Sequence, residues 1–152
     1  MSRTVTQRLT FNLLGYLGLL PFALSAVMSL VGTSPIGVDP RFLFTSYSAI
    51  ILSFLGGVLW GRCLGQSVAR ASRIVLLLSN CFALMAWSGL LLGDTAYKPT
   101  LLVLMLGYLL VYLAERRHTD ADATDLIRYY MKMRLVLTSV VISTHLLLLI
   151  AG

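Results

Sequence analysis

His145 is the one ionisable side chain that falls deep inside an apolar stretch of this chain. A titratable group in hydrocarbon is costly and is a functional candidate by default. A proton or ion relay needs more than one such group, and a haem clamp needs two facing axial ligands. His118 falls at the opposite end of the membrane from His145, so the two cannot share a haem. The expected role of His145 is a neutral side chain sharing a hydrogen bond with a neighbouring helix; the alternative is a ligand or quinone contact. Asn12, Asn80 and the group Ser139, Ser143 and Thr144 offer further interhelical hydrogen bonds, each worth about 0.6 kcal/mol in a membrane. Trp60, Trp87, Tyr97 and Tyr112 fall near the ends of apolar runs, where aromatic rings favour the interface. Arg62 follows Trp60 closely and can extend its charge to the headgroups. His145, Asn80, Trp60 and Arg62 are therefore the candidate polar or ligand contacts. Cys63 and Cys81 form no CxxC and set no disulfide framework. No phosphate-binding loop, zinc spacing, HExxH or GxSxG occurs. The expectation is a non-enzyme with no catalytic residue, no metal and no cofactor.

The elements that carry these residues follow from composition. The chain is 58% hydrophobic and 12% charged, whereas soluble domains are typically about 45–50% apolar and about 25% charged. A bilayer can absorb that apolar surface, and a soluble core of this size cannot. Spanning takes about 20 apolar residues. Five runs qualify: residues 9–31, 42–64, 74–92, 99–114 and 135–151, the last led by a helical segment from about residue 120. The runs are continuously apolar rather than alternating, which selects helices over a barrel. The first run is about twice the length of a signal-peptide apolar region and is read as a retained helix. Residues 1–152 thus form one all-α, polytopic domain with five transmembrane helices.

Basic residues orient the helices. Arg3, Arg8, Arg62, Arg70, Arg73, Arg116, Arg117, Arg128, Lys132 and Arg134 all fall on one side, against Arg41 and Lys98 on the other. Basic loops stay cytoplasmic, so the N-terminus is expected in the cytoplasm and the C-terminus in the periplasm. The net charge of +6 then reflects topology and contact with lipid headgroups, not nucleic acid. Between the fourth and fifth runs, Asp120, Asp122 and Asp125 precede Arg128, Lys132 and Arg134. That order suits a helix dipole, with Thr119 or Thr124 as N-cap. An unbroken helix from near Asp120 into the fifth run is expected, with Tyr129 and Tyr130 at the headgroup level.

The second run carries the most informative spacing. Thr45, Ala49, Ser53, Gly57, Gly61 and Gly65 recur every fourth residue, and all are small. Such a face lets another helix approach closely, as membrane helices require when lipid supplies no hydrophobic drive. Its occupant is expected to be a neighbouring helix of the same chain, with a second protomer, another protein or a lipid or quinone tail as alternatives. In the first run, Pro21 removes a backbone hydrogen bond and predicts a kink, with Ser25 and Ser29 placed to satisfy freed carbonyls.

Three segments resemble the transmembrane protein 69-like family. They are residues 47–61 (YSAIILSFLGGVLWG), residues 14–22 (LGYLGLLPF) and residues 129–138 (YYMKMRLVLT). The family consists of small multi-helix proteins of unknown function in bacteria and mitochondria. One departure is Leu59, at a position where the family pattern often has histidine before the tryptophan. The resemblance implies a bacterial inner-membrane location and brings no activity with it. Small size, absent chemistry and the flat small-residue face lead to an expected accessory or assembly factor packing against a larger, possibly respiratory, membrane complex. The alternative is a small transporter or a lipid- or quinone-binding protein. Expected partners are membrane lipids and another integral membrane protein or a second copy of the chain.

Overall fold

The structure is a computed structural model that describes residues 2–35, 37–64, 70–93, 95–119 and 124–152, and their side chains apart from those of 2–5, 62–64 and 70–72. Every regular element among the described residues is a helix: α1 (Ser2–Leu17), α2 (Leu20–Val31), α3 (Pro40–Leu64), α4 (Arg70–Leu92), α5 (Tyr97–Arg117) and α6 (Asp125–Ala151). Five stretches are long and apolar enough to cross a membrane: Thr6–Val31, Pro40–Gly61, Arg73–Leu92, Tyr97–Arg117 and Asp125–Ala151. They correspond to the five runs, with α1 and α2 together making the first.

The break between α1 and α2 lies at Gly18 and Leu19, just before Pro21. Pro21 has no N–H for the carbonyl of residue 17, and its ring would crowd that carbonyl in a continuous helix. The turn closes with Leu19 N donating to Tyr16 O at 3.0 Å. Tyr47 of α3 donates its hydroxyl to Gly18 O at 3.0 Å. Ser25 instead donates to carbonyls of its own helix, Pro21 O at 2.6 Å and Phe22 O at 3.2 Å. A carbonyl at the break, that of Gly18, is thus served from across the bundle, while Ser25 bonds within its own helix. At the far end of α2, Gly32 adopts φ 70° and returns its N–H to Met28 O, a left-handed cap that glycine adopts without a side-chain penalty.

α3 is the hub and packs against α2, α4 and α5, while α6 packs against α5, α1 and α2. α4 and α5 complete the layer. Glycines set the close approaches. A Cβ on Gly56 would stand 3.0 Å from Ser79 O and 3.3 Å from Phe82 Cβ of α4. Ser79 donates to Gly56 O at 2.6 Å across the same contact. A Cβ on Gly107 of α5 would reach 2.5 Å from Leu52 Cδ2 of α3. Leu52, Leu59, Leu101, Leu104 and Val111 fill the core between these helices.

The small-residue face of α3 divides. Thr45 and Ala49 are buried, at 2% and 1% exposure. Ser53, Gly57 and Gly61 are exposed, and a Cβ on either glycine would meet nothing within 4 Å. Gly65 lies outside the described residues. The expectation that a neighbouring helix of the same chain covers this whole row is therefore corrected. With 3.6 residues per turn, four residues overshoot a full turn by about 40°. The row accordingly winds from the core side of α3 to its outer side.

Other interhelical expectations sort the same way. Asn12 donates to Tyr129 Oη at 2.6 Å, tying α1 to α6 as expected. Asn80 is exposed on α4 and donates to Leu76 O of its own helix at 2.9 Å. Ser139 and Ser143 face outward, and Thr144 donates to Val140 O. Tyr112 is buried rather than at a rim position, whereas Trp60 and Trp87 are exposed on the outer surface. α6 begins at Asp125, where Thr124 accepts from Ile127 N at 3.4 Å. The expected lead-in at residues 120–123 lies outside the described residues.

Candidate functional site

The break at Gly18 and Leu19 separates the packing of the two halves of the first span. α2 lies against α3 and α6, whereas α1 lies against α6. Gly15 brings α1 close to α6, since a Cβ there would stand 3.0 Å from Leu137 Cδ1 and 3.4 Å from Met133 Sδ. Between α1 and α3 this leaves a slot of about 350 Å³, floored by α6 and by Tyr108 of α5. Cavities of about 300–1,000 Å³ are the usual size for small-molecule sites. Leu14 and Phe54, each 64% exposed, stand at its open side. A second cleft of about 310 Å³ continues past Phe11, Val58 and Tyr130 to Leu126 and Ile127.

The slot is apolar apart from a small polar group contributed mainly by α6. Arg134 and Thr138 both line it, and as residues four apart they share one helix face. Arg134 Nε donates to Glu115 Oε2 of α5 at 2.9 Å. Glu115 is 0% exposed and Arg134 6%. Both stand immediately outside apolar runs in the sequence. Arg134, counted above among the cytoplasmic loop charges, is therefore inside the protein. The pairing follows from chain direction: α5 and α6 are antiparallel neighbours joined by a short connection. An acid in the last turn of one and a base early in the other then meet at one membrane level. Three polar atoms here have no hydrogen-bond partner: Glu115 Oε1, Arg134 Nη2 and Thr138 Oγ1. Buried polar atoms of native proteins are rarely left so.

Behind the inner end of the slot lies His145. Its Nδ1 is 2.8 Å from Val141 O, and its Nε2 is 2.9 Å from Ser48 Oγ of α3. A carbonyl only accepts, so Nδ1 carries the proton. The neutral ring then accepts at Nε2 from the Ser48 hydroxyl. Tyr108 donates to Ser48 O at 2.8 Å. Phe44, Tyr108 and Phe22 surround the imidazole at ring distances of 4.8, 5.7 and 6.2 Å. His145 thus joins α6 to α3 by a hydrogen bond, with both nitrogens engaged.

The predicted site residues do not converge on the slot. His145 is behind it, Asn80 and Trp60 are on the outer surface, and the side chain of Arg62 lies outside the described residues. Thr45, Ala49, Ser53, Gly57 and Gly61 are on other sectors of α3. Glu115, Arg134, Thr138, Ser48 and Tyr108 are the polar residues that sequence reasoning passed over.

Comparison with known proteins places the chain. A family model described as protein of unknown function, DUF3429, matches residues 8–150. The chain belongs to the DUF3429 family. Transmembrane protein 69 of Xenopus tropicalis is 40% identical over 101 residues, which cover 65% of this chain and 40% of that protein. The match thus spans well under half the length of that curated relative. No solved structure matches the chain. The resemblance read from the three segments is confirmed, and this DUF3429 member is a multi-pass membrane protein. Leu59, before the tryptophan, is 1% exposed in the apolar core.

Proposed function

We propose that this DUF3429 protein is a non-catalytic membrane protein that holds a lipid-like amphiphile between its first span, α3 and α6. The slot carries this reading. It is apolar along most of its length, opens sideways past Leu14 and Phe54, and has two buried polar atoms without partners at one position. The test is purification of the full chain in mild detergent, followed by lipid extraction and mass spectrometry. An amphiphile should be retained near one per chain and lost from Val58→Trp, which fills the slot. Wild-type protein carrying none would refute the reading.

A second reading is favoured by a separate observation. Ser53, Gly57 and Gly61 leave a flat open strip on α3, suited to close approach by a foreign helix. On that reading the protein is an accessory or assembly factor of a larger, respiratory or other, inner-membrane complex. Affinity purification would then recover a stoichiometric membrane partner from wild type and not from the double variant Gly57→Leu, Gly61→Leu. For either reading we place the chain in the bacterial inner membrane with its N-terminus in the cytoplasm, because nine basic residues remain on that side against Arg41 and Lys98.

A further inference from the structure

We infer that the slot selects an amphiphile whose polar group is an uncharged carbonyl, received by Arg134 Nη2 and Thr138 Oγ1; this rests on the amphiphile reading above. Thr100 and Thr138 are the described threonines whose buried hydroxyls have no partner, and of these Thr138 lines the slot. Thr10, Thr45, Thr119 and Thr144 each donate to the carbonyl four residues back. Thr138 does not, although it is 4% exposed, and its hydroxyl has no partner. Arg134 commits Nε to Glu115 and leaves Nη2 unpartnered. The two groups stand one turn apart on the slot-facing side of α6. Arg134 Nη2 only donates, so the ligand must accept from it, and the Thr138 hydroxyl can donate to the same acceptor. A carbonyl accepts from both at once, whereas a hydroxyl ligand would also have to give its proton to Thr138 Oγ1, ending that residue's role as donor to it, or to Glu115 Oε1, which is fully buried and does not line the slot.

Charge decides between a neutral acceptor and an anion. Glu115, fully buried, already balances the guanidinium. A carboxylate or phosphate bound at Arg134 would leave one buried negative charge uncompensated, which is strongly unfavourable in a low-dielectric site. A carbonyl accepts the same hydrogen bonds without adding charge. The apolar surfaces on both sides of the polar position point the same way. Leu137, Val141 and Phe22 line the slot beyond it, and the Phe11–Tyr130 cleft continues in the other direction. A carbonyl flanked on both sides by apolar groups is found in an isoprenoid quinone or a glyceride ester, and not in a terminal carboxylate.

The test titrates the full chain in detergent, by native mass spectrometry, with four probes: decyl-benzoquinone, dioctanoylglycerol, octadecanoate and dioleoyl phosphatidic acid. One or both neutral carbonyl probes should bind at least about tenfold tighter than the anions. Preference for the quinone or for the glyceride identifies the source, and either supports the inference. Thr138→Val, nearly isosteric and expected to fold, should weaken the neutral probe about fivefold, the size of one neutral hydrogen bond. Glu115→Gln leaves Arg134 a net cation and should move the preference towards octadecanoate, a reversal that loss of packing alone would not produce. Wild type that prefers an anion, or Thr138→Val that binds the neutral probe unchanged, would overturn the carbonyl inference while leaving the amphiphile reading in place. Binding of none of the four, with no co-purifying amphiphile, would overturn both.

Discussion

Arg134 and Glu115 hold opposite charges inside the bundle, and replacing one should not act like replacing both. Removing one partner of a buried pair leaves an uncompensated charge and costs about 3–5 kcal/mol, whereas replacing both with apolar groups is often neutral. Arg134→Met should therefore destabilise the protein strongly, and Arg134→Met with Glu115→Leu should recover most of the loss; reversible unfolding in mixed micelles measures both. If the double variant is no better than the single, the penalty is not electrostatic. The Ser48–His145 bond is a milder case, between neutral groups at 2.9 Å. Ser48→Ala should cost about 1 kcal/mol in the same assay. These side chains were partly legible. His145 stands out because no Asp, Glu, Lys or Arg lies deep within a run, and its hydrogen-bonded role was readable. Its partner was not, because Ser48 is one of many small residues in α3 and nothing in sequence spacing selects it.

At the scale of elements, the glycines of α3 have opposite expected consequences although two of them are adjacent. Gly56 touches the α4 backbone, and Gly57 faces outward with no neighbour within 4 Å. Gly56→Leu should prevent α3 and α4 from packing and abolish recovery of folded protein. Gly57→Leu should leave the isolated chain folded and unchanged in thermal stability. Size-exclusion profiles and melting curves of the two variants compare them directly, and equal damage from both would contradict the packing of α3 described above. The break in the first span follows the same logic. Tyr47→Phe removes the hydroxyl that serves Gly18 O at 3.0 Å and should loosen the joint between α1 and α2. Faster amide exchange confined to residues near Gly18 would report it. A break near Pro21 was readable because proline acts through its own backbone. The hydroxyl that bonds Gly18 O at the break comes from another helix, 29 positions away.

For the whole molecule, the orientation is open to a direct test. A C-terminal reporter should be active only in its periplasm-competent form, and an N-terminal one only in its cytoplasmic form; the reverse pattern would invert the bundle. Five spans and their helical nature follow from hydropathy, because in lipid each backbone must satisfy its own hydrogen bonds and only a long apolar helix does so within one segment. α3 is the hub, packed against α2, α4 and α5. What covers each sector of that helix does not follow from its small residues. A row of every fourth residue winds steadily around an α-helix, so Thr45 and Ala49 reach the core while Ser53, Gly57 and Gly61 reach the outside. Arg134 shows the same division. Its charge and its place before the fifth run made it look like a topology marker, and only the antiparallel docking of α5 and α6 brought Glu115 to it. The slot itself exists because α1 and α2 pack on different neighbours. Spans are local properties, set by hydration along the chain; pairings and cavities depend on which faces meet, and that only the tertiary structure decided.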